Sequence, residues 1–202
     1  MKSKLKQAAS AGIIGEVLYF ISLMLFLTTH TEAALTFWEG MTVAGAFILL
    51  IVLAVIAEEY RITAFLRRLM LLSLSGTTLL TAVAHITSIG VIRPLAAQGT
   101  DIPEYCKIGV FPSLEMTLDY TAWGLFMGLA FIVLFLGIRE KAVRFLSLCC
   151  GLLCLIGFAG SFFSEALWYA APMGYGVGFL ILCIFILTQK GEQAHERDRT
   201  QT

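Results

Sequence analysis

The stretch GMTVAGAFILLIVLAVIA, residues 40–57, contains no charged residue and is followed at once by EEYRITAFLRR, residues 58–68. A helix needs about 20 mainly apolar residues to cross the hydrocarbon core of a bilayer. Five other stretches of this chain have a similar length and character. The sequence therefore predicts an all-α integral membrane protein, a six-transmembrane-helix bundle. The predicted spans are 12–30, 40–57, 69–92, 119–138, 145–163 and 172–188.

The composition supports this class and excludes others. Hydrophobic residues make up 58% of the 202 residues and charged residues 14%, whereas soluble domains carry about 25% charge. The chain has no long basic run and no Cys/His finger spacing, so we expect no nucleic-acid partner. The first span is too long for a cleavable signal peptide and lacks a cleavage site followed by a soluble mature domain.

The lysines and arginines predict an orientation. They are placed on alternate sides of the six spans, and positive charge favours the cytoplasmic side. The sequence thus predicts that both termini are cytoplasmic, in a bacterial cytoplasmic membrane. The two basic residues on the outer side are Arg93 and Lys107. The twelve on the inner side are Lys2, Lys4, Lys6, Arg61, Arg67, Arg68, Arg139, Lys141, Arg144, Lys190, Arg197 and Arg199.

The chain divides into one membrane domain with polar ends. Residues 1–11 form a basic cytoplasmic lead-in, 12–188 the six-span domain, and 189–202 a polar cytoplasmic tail. One outer connection, 93–118, is much longer than the others. Loops of this length often act as lids or binding segments, and we expect this one to fold over the outer face.

The third span carries polar residues at helical spacing. Ser73, Thr77, Thr81 and His85 recur every four residues and so share one face of a helix. That face must point towards other helices or a polar cavity. Small hydroxyl residues commonly hold helices together, whereas a histidine within a span titrates near neutral pH. His85 is therefore either a structural histidine or a functional group.

The start of the fourth span is acidic and aromatic. If a helix begins at Ser113, then Glu115, Asp119 and Trp123 lie on one face, beside Tyr120. The carboxylates would complement the helix dipole, and Ser113 is a good cap. The alternative interpretation is a pocket, because Asp119 lies where the apolar stretch begins.

Other polar residues are weaker candidates. Glu16 would either pair with a basic residue such as Arg67 or Arg68 or serve a proton or cation pathway. Glu32 and Glu39 are interpreted as exposed at the interface. The candidates for ligand binding or proton relay are His85, Glu115, Asp119, Tyr120, Trp123, Glu165, Trp168, Tyr169 and Glu16.

Glycine spacing suggests close packing of helices. Gly124 and Gly128 form G-x-x-x-G in the fourth span, and Gly174 and Gly178 repeat the interval in the sixth. Such spacing lets two backbones approach closely in lipid. It could serve the bundle itself, an oligomer or a partner membrane subunit.

These features favour a solute-binding or transport subunit with an outward-facing pocket capped by loop 93–118. In size and layout alone, the chain is similar to the substrate-binding components of bacterial vitamin transporters. The alternatives are a membrane-embedded enzyme acting on a lipid or small apolar substrate at the outer leaflet, or a non-catalytic scaffold. The chain lacks H-E-x-x-H and G-x-S-x-G, which weakens the enzyme alternative. No metal site is predicted, and the sequence does not indicate which cofactor, if any, is used.

Overall fold

The computed structural model describes residues 3–107 and 113–189, apart from the side chain of Glu165. Within these residues the chain is helical and has no strand. Residues 190–202 of the predicted tail lie outside the described part, as do the basic residues Lys2, Lys190, Arg197 and Arg199. The described part has six helices long and apolar enough to cross a membrane: α1 Ser3–Thr29, α2 Glu32–Glu59, α3 Ala64–Ala97, α4 Leu114–Gly137, α5 Lys141–Phe163 and α6 Ala170–Thr188. This confirms the predicted helical class and the number of apolar helices.

Helix boundaries follow local chemistry rather than the limits of the apolar stretches. Thr31 caps α2 by accepting a hydrogen bond from Ala34 N at 3.3 Å, after His30 turns the chain with φ 51°. Ser113 caps α4 in the same way, accepting from Met116 N at 3.2 Å, as predicted. The Glu140 carboxylate caps α5 through the amides of Ala142 and Val143. Such side chains satisfy amides that a helix start leaves free.

The connection between α3 and α4 is shorter than the predicted segment 93–118. The third helix continues to Ala97, and the fourth begins at Leu114. Between them, a 3₁₀ turn at Glu104–Cys106 is held by a Lys107–Glu104 ion pair of 2.6 Å. The carboxylate of Glu104 raises the pKa of Lys107.

The six helices form a closed ring. Each packs against its neighbours in sequence, and α6 returns to α1. Gly12 of α1 faces Phe179 and Cys183 of α6, whereas Gly176 of α6 faces Phe20 of α1. The reversed numbering shows that these two helices are antiparallel. We call the end with Ser3 and Thr188 the terminal end and the opposite end, with residues 98–107 and Ser113, the distal end.

The centre and the outside of the ring are both apolar. Phe131, Phe179, Leu53 and Ile56 are fully buried in the centre. Large apolar side chains also point outwards from every helix, a surface typical of proteins that face lipid rather than water. Examples in chain order are Ile21, Phe47, Leu72, Leu136, Phe145 and Ile181, each about half exposed or more.

Candidate functional site: a buried polar cluster at the distal end

His85 lies between two carboxylates from two other helices. Its Nδ1 is 3.8 Å from Glu39 Oε1 on α2, and its Nε2 is 3.4 Å from Asp119 Oδ1 on α4. The imidazole is fully buried, and the indole of Trp38 meets it edge-on with 5.9 Å between ring centroids. Neither imidazole nitrogen has a partner at hydrogen-bond geometry among the described residues. These contacts are therefore electrostatic rather than hydrogen bonds.

Arg93 neutralises one of these carboxylates. Its Nη2 lies 2.5 Å from Glu39 Oε2, while its Nη1 contacts Thr36 Oγ1 at 2.8 Å and Glu32 Oε2 at 3.2 Å. The Glu39 side chain is fully buried, that of Arg93 is 18% exposed, and that of Glu32 is 82% exposed. The guanidinium thus connects a buried carboxylate with the exposed edge of the distal end.

Glu115 adds a third carboxyl group. It lies one turn before Asp119 on α4, is 3% exposed, and has no hydrogen-bond partner on either oxygen among the described residues. Its charge interacts with those of Glu39, His85, Asp119 and Arg93. We call these five residues the polar cluster.

The cluster contains more acid than base. Three carboxyl groups, on Glu39, Glu115 and Asp119, face two groups that can carry positive charge, on His85 and Arg93. Even if both are charged, one carboxylate remains uncompensated. Buried charge without a partner is costly, so this carboxylate is unfavourable unless it is protonated or neutralised by a positive charge.

Three helices change their winding in the half of the bundle that contains this cluster. Segments Ser88–Ile92, Tyr120–Phe126 and Met173–Gly178 are π-helical. Short π segments inside α-helices occur frequently at functional sites. Two of these segments lie next to a proline. Pro94 has no N–H to donate to the carbonyl of Gly90, and Pro172 directly precedes the third segment. A proline removes one hydrogen bond of the α-helix, and a wider turn accommodates this loss.

The π segment in α3 also brings Arg93 to the cluster. His85 and Arg93 are eight residues apart, about 2.2 turns of an ideal α-helix, which would place them on different faces. The wider turns at Ser88–Ile92 reduce the rotation per residue. Arg93 consequently returns towards the face of His85.

Aromatic pairs lie in the same half of the bundle as the cluster. Trp38 stacks on Phe26 with centroids 5.6 Å apart, and Trp123 packs on Tyr175 at 4.6 Å. Tyr120 and Trp168 form another pair, with centroids 5.8 Å apart. A cleft of about 440 Å³ opens next to Arg93; it is lined by Glu32, Thr36, Ile89, Arg93, Pro94, Ala96 and Ala97.

The structure brings several of the predicted candidates together. His85, Glu115 and Asp119 belong to the cluster, and Tyr120 and Trp123 follow on α4. The predicted polar face of α3 is confirmed, because Ser73, Thr77, Thr81 and His85 are all buried. Trp168 contacts Tyr120, Tyr169 is 75% exposed, and the side chain of Glu165 lies outside the described part. Glu16 is buried midway along α1, away from the distal end.

The interpretation of Glu39 as an exposed interfacial residue is wrong. Its side chain is 0% exposed, because α2 begins at Glu32 and carries Glu39 two turns into the bundle. Arg93 was interpreted as a loop residue, yet it lies within α3. The capping pattern at Thr31 could have revealed the early helix start.

Comparisons with known proteins return no match: no family model, no curated protein and no solved structure matches this chain. The architectural similarity to vitamin-transporter components is thus not accompanied by a matching structure.

Proposed function

We propose that this chain is a multi-pass membrane protein that binds and transports a small solute carrying a positive charge. The supporting observation is the acidic surplus of the buried polar cluster, in which Glu39, Glu115 and Asp119 face His85 and Arg93. Ionisable residues within spans commonly mark the path of a substrate or ion. A cationic group on the solute would supply the missing charge.

The surroundings of the cluster fit such a solute. Aromatic faces attract cations, best when water is excluded, and Trp38, Tyr120 and Trp123 lie close by. Asp119 is the most exposed carboxylate of the cluster, with 27% of its side chain accessible. It is therefore the acid that we expect an entering solute to contact first.

We further propose that the distal end lies outside and both termini lie in the cytoplasm of a bacterial cell. The support is the charge distribution: Lys4, Lys6, Arg61, Arg139 and Lys141 belong to the terminal end, and positive charge favours the cytoplasmic side. The cluster then opens outwards, and we expect the turn at Glu104–Cys106, which packs against the start of α4, to cover part of it.

The glycine intervals fit a role within the bundle. A Cβ at Gly124 would lie 2.7 Å from Phe158 Cβ, and one at Gly128 would lie 2.9 Å from Leu155 Cγ, both on α5 of the same chain. These contacts occupy the glycine face of α4 internally. We accordingly place any oligomer or partner-subunit contact on other surfaces.

The proposal is tested by thermal melting of the purified protein with choline and with 3,3-dimethylbutan-1-ol, its uncharged isostere. A ligand at about 100 times its Kd stabilises the folded state by about 2.7 kcal/mol. We expect choline to raise the melting temperature and the isostere to have no such effect. Asp119→Asn should abolish the shift, and Glu104→Gln, an exposed change outside the cluster, should preserve it.

Equal shifts with choline and its isostere would show that charge is not recognised. A shift that survives Asp119→Asn would place the binding elsewhere. If neither choline nor methylammonium changes the melting temperature, the cationic-solute proposal is contradicted.

A further inference from the structure

Glu16 is a buried carboxyl group outside the polar cluster. It lies midway along α1, is 4% exposed, and its Oε2 has no hydrogen-bond partner among the described residues. The sequence suggested an ion pair with Arg67 or Arg68, but the described residues show no basic group within ion-pair distance. An isolated carboxylate in an apolar interior is unfavourable, so this position calls for a bound cation or a proton.

The surroundings of Glu16 suit a proton rather than a metal ion. A Cβ at Gly176 of α6 would lie 3.8 Å from Glu16 Oε2 and 3.3 Å from Phe20 Cζ. The charge interactions of Glu16 are with Tyr19 on its own helix and Cys183 on α6, and the preceding residue, Gly15, faces the apolar Ile48 of α2. Hard cations need about six or more oxygen ligands, which these residues do not offer.

A line of polar side chains connects Glu16 with the distal end. Tyr175 of α6 packs on Trp123, which lies one turn after Asp119 on α4, with ring centroids 4.6 Å apart. The next residue, Gly176, lies beside Glu16 Oε2, and Tyr19 follows Glu16 by about one turn of α1 towards the distal end. Tyrosine hydroxyls can donate and accept hydrogen bonds at the same time. Tyr19 and Tyr175 are therefore suited to carry a proton between the cluster and Glu16.

On the other side of Glu16 the described core is apolar. Towards the terminal end the ring is filled by Leu53, Ile56, Phe131, Leu182 and Ile186, each fully buried. Such close packing excludes water. The apolar core thus separates Glu16 from the terminal end.

We infer that Glu16 is the binding site of a coupling proton, which reaches it from the polar cluster through Tyr19 and Tyr175. A tyrosine hydroxyl gives its proton to the Glu16 carboxylate and regains one from the distal side, so one proton moves and only O–H bonds break and form. The coupling role rests on the proposed transport function. The proton site itself does not, and it is tested without a solute.

Infrared spectroscopy of the protein in lipid detects the carbonyl stretch of a protonated carboxyl group. We expect the wild-type minus Glu16→Gln difference spectrum to contain this band between about pH 5 and pH 8. Glutamine matches the neutral acid in shape, which favours normal folding of the variant. A difference spectrum without the band throughout this range would overturn the proposal.

Exchange into D₂O tests the path. The wild-type band should shift on exchange, and Tyr19→Phe combined with Tyr175→Phe should slow the shift at least about tenfold. Tyr60→Phe is the matched control, because burial raises the pKa of Tyr60 to about 12 and this residue lies at the terminal end. An unchanged rate in the double variant, or equal slowing in the control, would overturn the tyrosine path.

The two proposals fail separately. A choline-dependent melting shift without a Glu16 band would leave solute binding intact and remove the proton site. A Glu16 band whose exchange depends on the two tyrosines, without any effect of choline on the melting temperature, would support the proton site and remove solute binding.

Discussion

The Glu39 carboxylate on α2 and the Arg93 guanidinium on α3 form an ion pair, with 2.5 Å between Oε2 and Nη2, in which the acid is completely shielded from solvent. This contact joins two helices at the level where α3 changes to π winding. A buried pair of this kind contributes little relative to apolar residues, but breaking it leaves an uncompensated charge.

Replacing Arg93 with glutamine should therefore destabilise the protein by about 3 kcal/mol. The double variant Arg93→Gln with Glu39→Gln should recover much of this loss, since neither side then carries a buried charge. Unfolding free energies in mixed micelles measure the coupling between the two sites. Lys107→Gln, which removes an exposed pair, is the control and should cause no measurable loss. If the effects of Arg93→Gln and Glu39→Gln on the free energy of unfolding are additive, the ion pair is contradicted.

A second prediction concerns His85. Phenylalanine fills the space of the imidazole but cannot carry a positive charge, so Glu39 Oε1 and Asp119 Oδ1 would lose the charge partner that lies 3.8 and 3.4 Å from them. Removing the partner of a buried carboxylate is destabilising, and we expect His85→Phe to lower the free energy of unfolding by about 1–3 kcal/mol. Adding Asp119→Asn should reduce the loss. If His85→Phe is as stable as wild type, the imidazole does not hold the carboxylates.

A third prediction concerns Gly124. A Cβ there would lie 2.7 Å from Phe158 Cβ and 3.0 Å from its Cα, so Gly124→Ala should push α4 from α5 at a cost of about 1–3 kcal/mol. Gly45→Ala is the matched control, because nothing lies within 4 Å of a Cβ at that position. The control should be neutral or stabilising by up to about 1 kcal/mol. The free energy of unfolding measures stability, and light scattering measures the mass of the assembly. If Gly124→Ala changes the mass of the assembly without changing the free energy of unfolding, the glycine lies in a subunit interface instead.

The sequence permits much of the fold to be predicted, because span length is set by bilayer thickness and is visible as apolar runs. The polar face of α3 and the cap at Ser113 can also be predicted from the sequence, since both depend on local spacing. Glu39 and Arg93 were misjudged for one physical reason: each lies on a helix that continues beyond its apolar run. Contacts between helices, such as that of His85 with Glu39, depend on the order of the helices around the ring and on π winding. The local periodicity of the sequence indicates neither.

The account depends most on the distal end facing outwards across a membrane, and the native Cys106 tests this directly. Cys106 lies in the distal connection and is half-buried, as is Cys149 in the terminal half of α5, whereas Cys150, Cys154 and Cys183 are buried. In intact cells we expect a membrane-impermeant maleimide to label the wild type but not Cys106→Ser. Lys141→Cys in the Cys106→Ser background should react only after the membrane is permeabilised. Labelling of Lys141→Cys in intact cells, with Cys106 protected until permeabilisation, would invert the orientation and contradict an outward-facing site.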